Sequence, residues 1–245
     1  MVDFQRFTNG QGLRVVHQQL ELAPVVALQA WVNAGAAHDP QDYRGTAHFH
    51  EHMLFKGTHR RKTGAIAQEV RSLGGEVNAW TSFEQTVYHL VVPAPMVHRG
   101  VDILSDILRN AAFDAEELEK EREVILEEIR RAQDSPPKRM SNALFNLCYG
   151  EHPYGTTVLG DQQSVGGITR EALLDFYEKK YRPENTTLVV VGDVEERRVQ
   201  ELVEEYFAPW APEALKHKAA EPDFERSMSA LGGARLLREE VKQSR

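Results

Sequence analysis

His48-Phe49-His50-Glu51-His52 is the stretch on which the reading of this chain turns. It reads His-x-x-Glu-His. On a helix, His48 and His52 lie four residues apart and stack on one face, with Glu51 three after His48 and close to that face. Two imidazoles one turn apart can grip one Zn²⁺, and a carboxylate beside them can act on a water that the metal polarises. The order is the reverse of the commoner His-Glu-x-x-His. His50 sits about 200° around the wheel from His48 and points away from any such metal, as a packing or surface histidine. Two helix histidines also fall four apart by chance, so the motif needs a third ligand.

A catalytic zinc commonly has three protein ligands and one open position. The segment Asp114–Gln133 offers Glu116, Glu117, Glu119, Glu121, Glu123, Glu127 and Glu128, most of which read as a solvated acidic face. Leu118, Ile125 and Ile129 form one stripe that must face the core. Glu121 and Glu128 stand about 20° from each other on its shoulder, while Glu127 falls about 160° from its centre and faces solvent. A carboxylate at a buried edge needs a partner, and a metal is a good one. Glu128 is therefore the favoured third ligand. Glu121 is the candidate to orient a ligand histidine from behind.

The totals are compatible with this chemistry and exclude other classes. With 245 residues, 41% of them hydrophobic, the chain can build one large domain or two small ones. A net charge of −8 argues against broad nucleic-acid affinity. No apolar run approaches the ~20 residues that a membrane-spanning helix needs. Met1-Val2-Asp3-Phe4 lacks a basic stretch followed by an apolar one, so no signal peptide is read; the compartment stays open, cytoplasmic, or periplasmic if a signal was removed. The single Cys148 excludes an internal disulfide and a multi-cysteine zinc site, and reads as a helix or core thiol.

Outward from the motif, alternation and punctuation predict the elements. Strands are expected from Leu13 to Val16, Val25 to Val32, Glu76 to Thr81, Gln85 to Val92 and Asn185 to Gly192. Helices are expected for the motif, with Thr46 as N-cap, and then from Thr63, where Ile66, Val70 and Leu73 repeat and Gly74-Gly75 stops the run. Further helices are Val97 to Asn110, one capped by Asp114, Lys138 to Tyr149, one started by Thr169, and one capped by Asp193 and ending at Phe207. Glu151 to Gly167 reads as a loop, and His89 as a structural histidine on a strand. Strands come in pairs and helices in runs. That predicts an α+β fold with a mainly antiparallel β-sheet covered by helices on one side. Residues 1–207 are read as one zinc-binding domain. From Ala208, prolines and charges mark a linker, and Ala234 to Val241 reads as the start of another strand, the beginning of a second unit.

The motif in its setting, Gly45-Thr46-Ala47 through Lys56-Gly57-Thr58, resembles the pitrilysin/insulinase family of zinc metallopeptidases, the inverzincins, and is closest to their mitochondrial processing peptidase-like branch. Further likeness lies in Asn9-Gly10, Leu13-Arg14-Val15-Val16, Gly74 to Thr81, Glu121 to Ile129, His152-Pro153-Tyr154-Gly155 and Tyr181-Arg182-Pro183-Glu184-Asn185. It covers the chain from about residue 5 to residue 207. The resemblance implies a half-domain of the mitochondrial processing peptidase/LuxS-like type. It implies one Zn²⁺ per chain on His48, His52 and Glu128, with Glu51 as general base and Glu121 behind the ligands. Asn78 and Ala79 match the edge strand that takes a peptide or unfolded polypeptide by β-addition. His50 departs from the family, where an apolar residue is common. The family also pairs two homologous halves, and the second half supplies an arginine and a tyrosine for which no position is found here. The resemblance thus implies a zinc endopeptidase that works with a second homologous domain or subunit, in a homo- or hetero-dimer. The alternatives are a non-catalytic partner subunit, which would commonly lose part of the motif, and another enzyme using the same five residues, such as an S-ribosylhomocysteinase, whose likeness ends with those five.

Overall fold

A computed structural model describes residues 4–210 of the chain. The strands are β1 (Gln5–Thr8), β2 (Arg14–Gln19), β3 (Val25–Val32), β4 (Glu76–Thr81), β5 (Thr86–Pro93) and β6 (Thr186–Gly192). The helices are α1 (Thr46–Leu54), α2 (Ala65–Ser72), α3 (Val97–Arg109), α4 (Ala115–Asp134), α5 (Pro136–Tyr149), α6 (Gln162–Gly167), α7 (Arg170–Lys180) and α8 (Glu196–Phe207). The strands form one sheet in the order β1-β2-β6-β3-β5-β4. Each adjacent pair is antiparallel except β2 with β6, which is parallel.

Alternation decides which face is covered. On β3, Val26, Leu28, Ala30 and Val32 are buried, and on β6 so are Leu188 and Val190, while the residues between them are only half-buried. The buried side meets the helices, as period-2 strands with one solvated face require. Ile103, Leu104, Ile107 and Leu108 of α3 join this core, with Leu118, Ile125 and Ile129 of α4 and Phe49, Met53 and Leu54 of α1. The expected one-sided α+β sheet is what forms.

Several local expectations change. Thr46 is not the N-cap of α1 but its first residue, and its hydroxyl donates to the Tyr43 carbonyl. Gly45 takes the cap position with φ 94° and ψ 3°, and a Cβ there would stand 2.6 Å from the Leu159 carbonyl oxygen. That backbone opens the helix end to Asp39, whose carboxylate accepts from Gly45 N at 2.7 Å and Ala47 N at 2.8 Å. Asp39 thus satisfies N–H groups that α1 leaves unpaired. Burial pushes the Asp39 carboxyl up to about 7 against those bonds. α2 starts at Ala65, after Gly64 as N-cap, rather than at Thr63, whose hydroxyl donates to the Lys56 carbonyl. Asp193 gives way to Glu195 before α8. Its own N–H bonds the Val25 carbonyl instead. Asp114 and Thr169 cap α4 and α7 as expected. The stretch read as a loop from Glu151 contains α6, capped by Asp161, whose side chain accepts from Gln163 N and Ser164 N. Cys148 is a helix thiol but exposed on α5 rather than buried in the core. The expectations for Ala234 to Val241 and for most of the linker lie outside the described residues.

His50 packs rather than faces solvent. It is fully buried, 5.2 Å from the Phe113 ring and 4.9 Å from that of Phe176. Its ring nitrogens lie 2.9 Å from the Thr46 carbonyl oxygen and 2.8 Å from that of Leu173, tying α1 to α7. The segment after α1 is fixed by Arg61, which donates to Glu69 Oε2 (2.9 Å), Asp102 Oδ2 (2.6 Å) and Asp106 Oδ2 (2.6 Å).

Candidate metal centre

α1 and α4 cross so that their functional faces meet. His48 Nε2 lies 3.7 Å from Glu128 Oε2, and His52 Nε2 lies 3.8 Å from the same oxygen. His48, His52 and Glu128 are the one group of three or more His, Cys, Asp or Glu among the described residues whose ligand atoms converge, within 4.8 Å of one another. Three ligands of a tetrahedral zinc, each at ~2.1 Å, stand roughly 3.4 Å apart. The two separations to Glu128 need a contraction of only a few tenths of an ångström. Two imidazoles and one carboxylate also form the donor set of a catalytic zinc site with an open fourth position.

The surroundings favour metal binding over proton binding. Burial, with the neighbouring His52, lowers His48 to about 3, so its ring is neutral at ordinary pH. His48 Nδ1 is buried with no hydrogen-bond partner among the described residues. His52 is held from behind. Its Nδ1 lies 2.7 Å from Glu121 Oε1, which leaves Nε2 facing Glu128. Glu121 is buried, and its other oxygen meets Lys56 Nζ at 2.5 Å. Burial pushes the Glu121 carboxyl up, but the bonds from His52 and Lys56 outweigh it and hold it below the usual carboxylate range. Glu127 lies on the outer face, paired with Arg130 and Arg131. The helical wheel had divided these glutamates in the same way.

Glu51 is partly buried and burial raises its carboxyl, opposed by a hydrogen bond from Thr81. That bond, Thr81 Oγ1 to Glu51 Oε2 at 2.6 Å, ties the carboxylate to the end of β4. Among the described residues β4 pairs with β5 alone, which leaves its other side as a free sheet edge there. Ala79 N donates to the side-chain Oδ1 of its own neighbour Asn78 at 2.9 Å, instead of to a backbone carbonyl. Asn78 and Ala79 are therefore not at the three-residue cluster but on the open strand whose end reaches Glu51.

Sequence reasoning missed Asp39, Lys56 and Thr81. Lys56 had a usable signal, since it follows His52 by four residues as α1 gives out. Thr81 and Asp39 had none: each reaches its partner across a loop or a strand.

Two histidines and a glutamate on two neighbouring helices, with a further glutamate beside them, are a donor set of the class that zinc hydrolases use. Comparison with known proteins narrows the class. Residues 14–162 match the profile described as insulinase (peptidase family M16), and residues 167–244 that described as the M16 inactive domain. The chain belongs to this peptidase family. It is 35% identical over 202 residues to an uncharacterised zinc protease of Mycobacterium leprae, covering 82% of this chain and 45% of that one. It is likewise 35% identical over 196 residues to a probable mitochondrial-processing peptidase subunit beta of Arabidopsis thaliana, covering 80% of this chain and 37% of that one. Among solved structures, a protease from Helicobacter pylori superposes with a TM-score of 0.85 at 29% identity, over 89% of this chain and 52% of that one. The first half of a periplasmic protease from Escherichia coli gives 0.81 at 26%, over 94% and 49%. The chain thus spans about half the length of these relatives or less. No helix among the described residues is long and apolar enough to cross a membrane.

Proposed function

We propose that this chain is the zinc-binding half of an endopeptidase that hydrolyses peptides or unfolded polypeptides. The convergence of His48, His52 and Glu128 next to Glu51 is the observation that carries this reading. These three residues would hold one Zn²⁺. When bound, the ion would lower the pKa of a coordinated water and polarise the scissile carbonyl. Glu51 takes the proton from the attacking water and passes it to the leaving amine. Burial already raises Glu51, which suits a group that must both accept and return a proton. Glu121 holds the His52 ring and its tautomer, and Lys56 holds Glu121. Asn78 and Ala79 would receive the substrate backbone along the free edge of β4, beside Glu51.

A second homologous half, as a domain or a subunit, would complete the substrate site. The match of residues 167–244 to an inactive-domain profile favours a second reading, a non-catalytic partner in a two-part peptidase. Zinc content and hydrolysis of a quenched peptide, measured on one sample with and without a second homologous half, separate the two. One zinc per chain with chelator-sensitive cleavage supports the endopeptidase. Glu51→Gln should then keep the zinc and lose turnover. A zinc-loaded chain that cleaves nothing under either condition supports the partner, and a folded chain that refuses added zinc removes the endopeptidase and leaves the partner.

A further inference from the structure

We propose that Thr81 and Thr86 form a two-hydroxyl brace that positions the Glu51 carboxylate from the edge strand; the inference rests on the endopeptidase reading above. The two threonines face each other across the β4–β5 turn as register partners. Thr81 Oγ1 donates to Glu51 Oε2 at 2.6 Å and lies 3.3 Å from Thr86 Oγ1. Thr86 is fully buried, and its hydroxyl donates to the Ala34 carbonyl at 2.7 Å.

A cross-strand threonine pair is by itself an ordinary stabilising contact of a sheet. Here one member of the pair carries a further bond. Thr81 Oγ1 donates to Glu51 Oε2, while Thr86, held by the Ala34 carbonyl, packs behind Thr81 and fixes its place. The carboxylate is thereby held in one position before it acts, as a preorganised site requires. The threonines are stiff at χ1 on a strand, so the hydroxyls inherit the position of β4 and β5. If substrate adds along β4, the same strand then sets both the peptide and the base that acts on it.

The test compares Thr81→Val, which keeps the β-branched shape and removes the hydroxyl, with Thr81→Ser, which keeps the hydroxyl. Both are measured as zinc-loaded chain with a second homologous half supplied, by zinc content, peptide kinetics and a crystal structure. Thr81→Val should bind zinc like the wild type, hold KM within about two-fold and lose kcat about 10- to 100-fold, the scale of a misplaced catalytic group. Thr81→Ser should recover most of the loss, and Thr81→Val should add little in a Glu51→Gln background. In the Thr81→Val crystal structure the Glu51 carboxylate should leave its wild-type position. Wild-type kcat in Thr81→Val, or a Glu51 carboxylate unmoved in that structure, would overturn the brace. Wild-type protein that holds zinc and cleaves nothing counts against the endopeptidase reading alone, and the position of Glu51 in Thr81→Val still decides the brace.

Discussion

Replacing Glu128 by Gln removes one of the three proposed ligands and should weaken zinc binding far more than the same change one residue earlier. Glu128 Oε2 stands 3.7 and 3.8 Å from the two histidine nitrogens, whereas Glu127 is exposed and bonded to Arg130. Four-ligand zinc sites bind with about 10–16 kcal/mol at neutral pH, so one ligand contributes roughly 2.5–4 kcal/mol. At ~1.4 kcal/mol per factor of ten, Glu128→Gln should raise the zinc Kd by about two to three orders of magnitude. Glu121→Gln leaves the three ligands in place and disturbs only the partner of His52 Nδ1, which predicts a loss of about 10- to 100-fold. Glu127→Gln should change the Kd by less than about two-fold, since an exposed ion pair contributes little. Competition with a chromophoric chelator at fixed pH reads all three on one scale, and circular dichroism checks that each variant is folded. Equal losses for Glu127→Gln and Glu128→Gln, or a larger loss for Glu127→Gln, would reject the assignment of α4's faces and with it the centre.

Three further outcomes test the surroundings. Ala79→Pro deletes an N–H that is not committed to β5, so the fold should survive while KM rises about three- to ten-fold, the worth of one hydrogen bond; an unchanged KM would mean that substrate does not run along β4. Arg61→Met strips the shared cation from Asp102 and Asp106, the latter fully buried, and should cost about 3–5 kcal/mol in urea unfolding; a cost below ~1 kcal/mol would show that the two carboxylates are satisfied without it. Asp39 has a folded-state pKa raised to about 7, so its stabilisation is complete below the ordinary carboxylate range and is lost as pH rises through about 7. The stability of the wild type relative to Asp39→Asn should fall by up to about 1.4 kcal/mol per unit between about pH 5 and pH 7. A flat difference would mean that Asp39 is ionised throughout.

What could be read in advance was whatever lies within one element. The alternation of Val26, Leu28 and Ala30 announced β3, and the stripe Leu118, Ile125, Ile129 oriented α4 well enough to separate Glu128 from Glu127. β1 was missed because Gln5-Arg6-Phe7-Thr8 holds a single apolar residue and gains its pattern only from pairing with β2. The parallel pairing of β2 with β6 joins Arg14 to Thr187, 173 residues away, and no local period encodes it. The same boundary runs through the site. His48, His52 and Glu128 belong to two helices, and their positions on those helices follow from spacing. Asp39, Thr81 and Thr86 act across loops and strands, through hydroxyls and a carboxylate of residue types that are common everywhere in the chain. Ligation needs particular chemistry at a particular period, which a sequence displays. Orientation needs only a polar atom in the right place, which the assembled fold supplies, so the residues that aim Glu51 and anchor α1 could be found only once β4, β5 and the Asp39 loop had been placed around them.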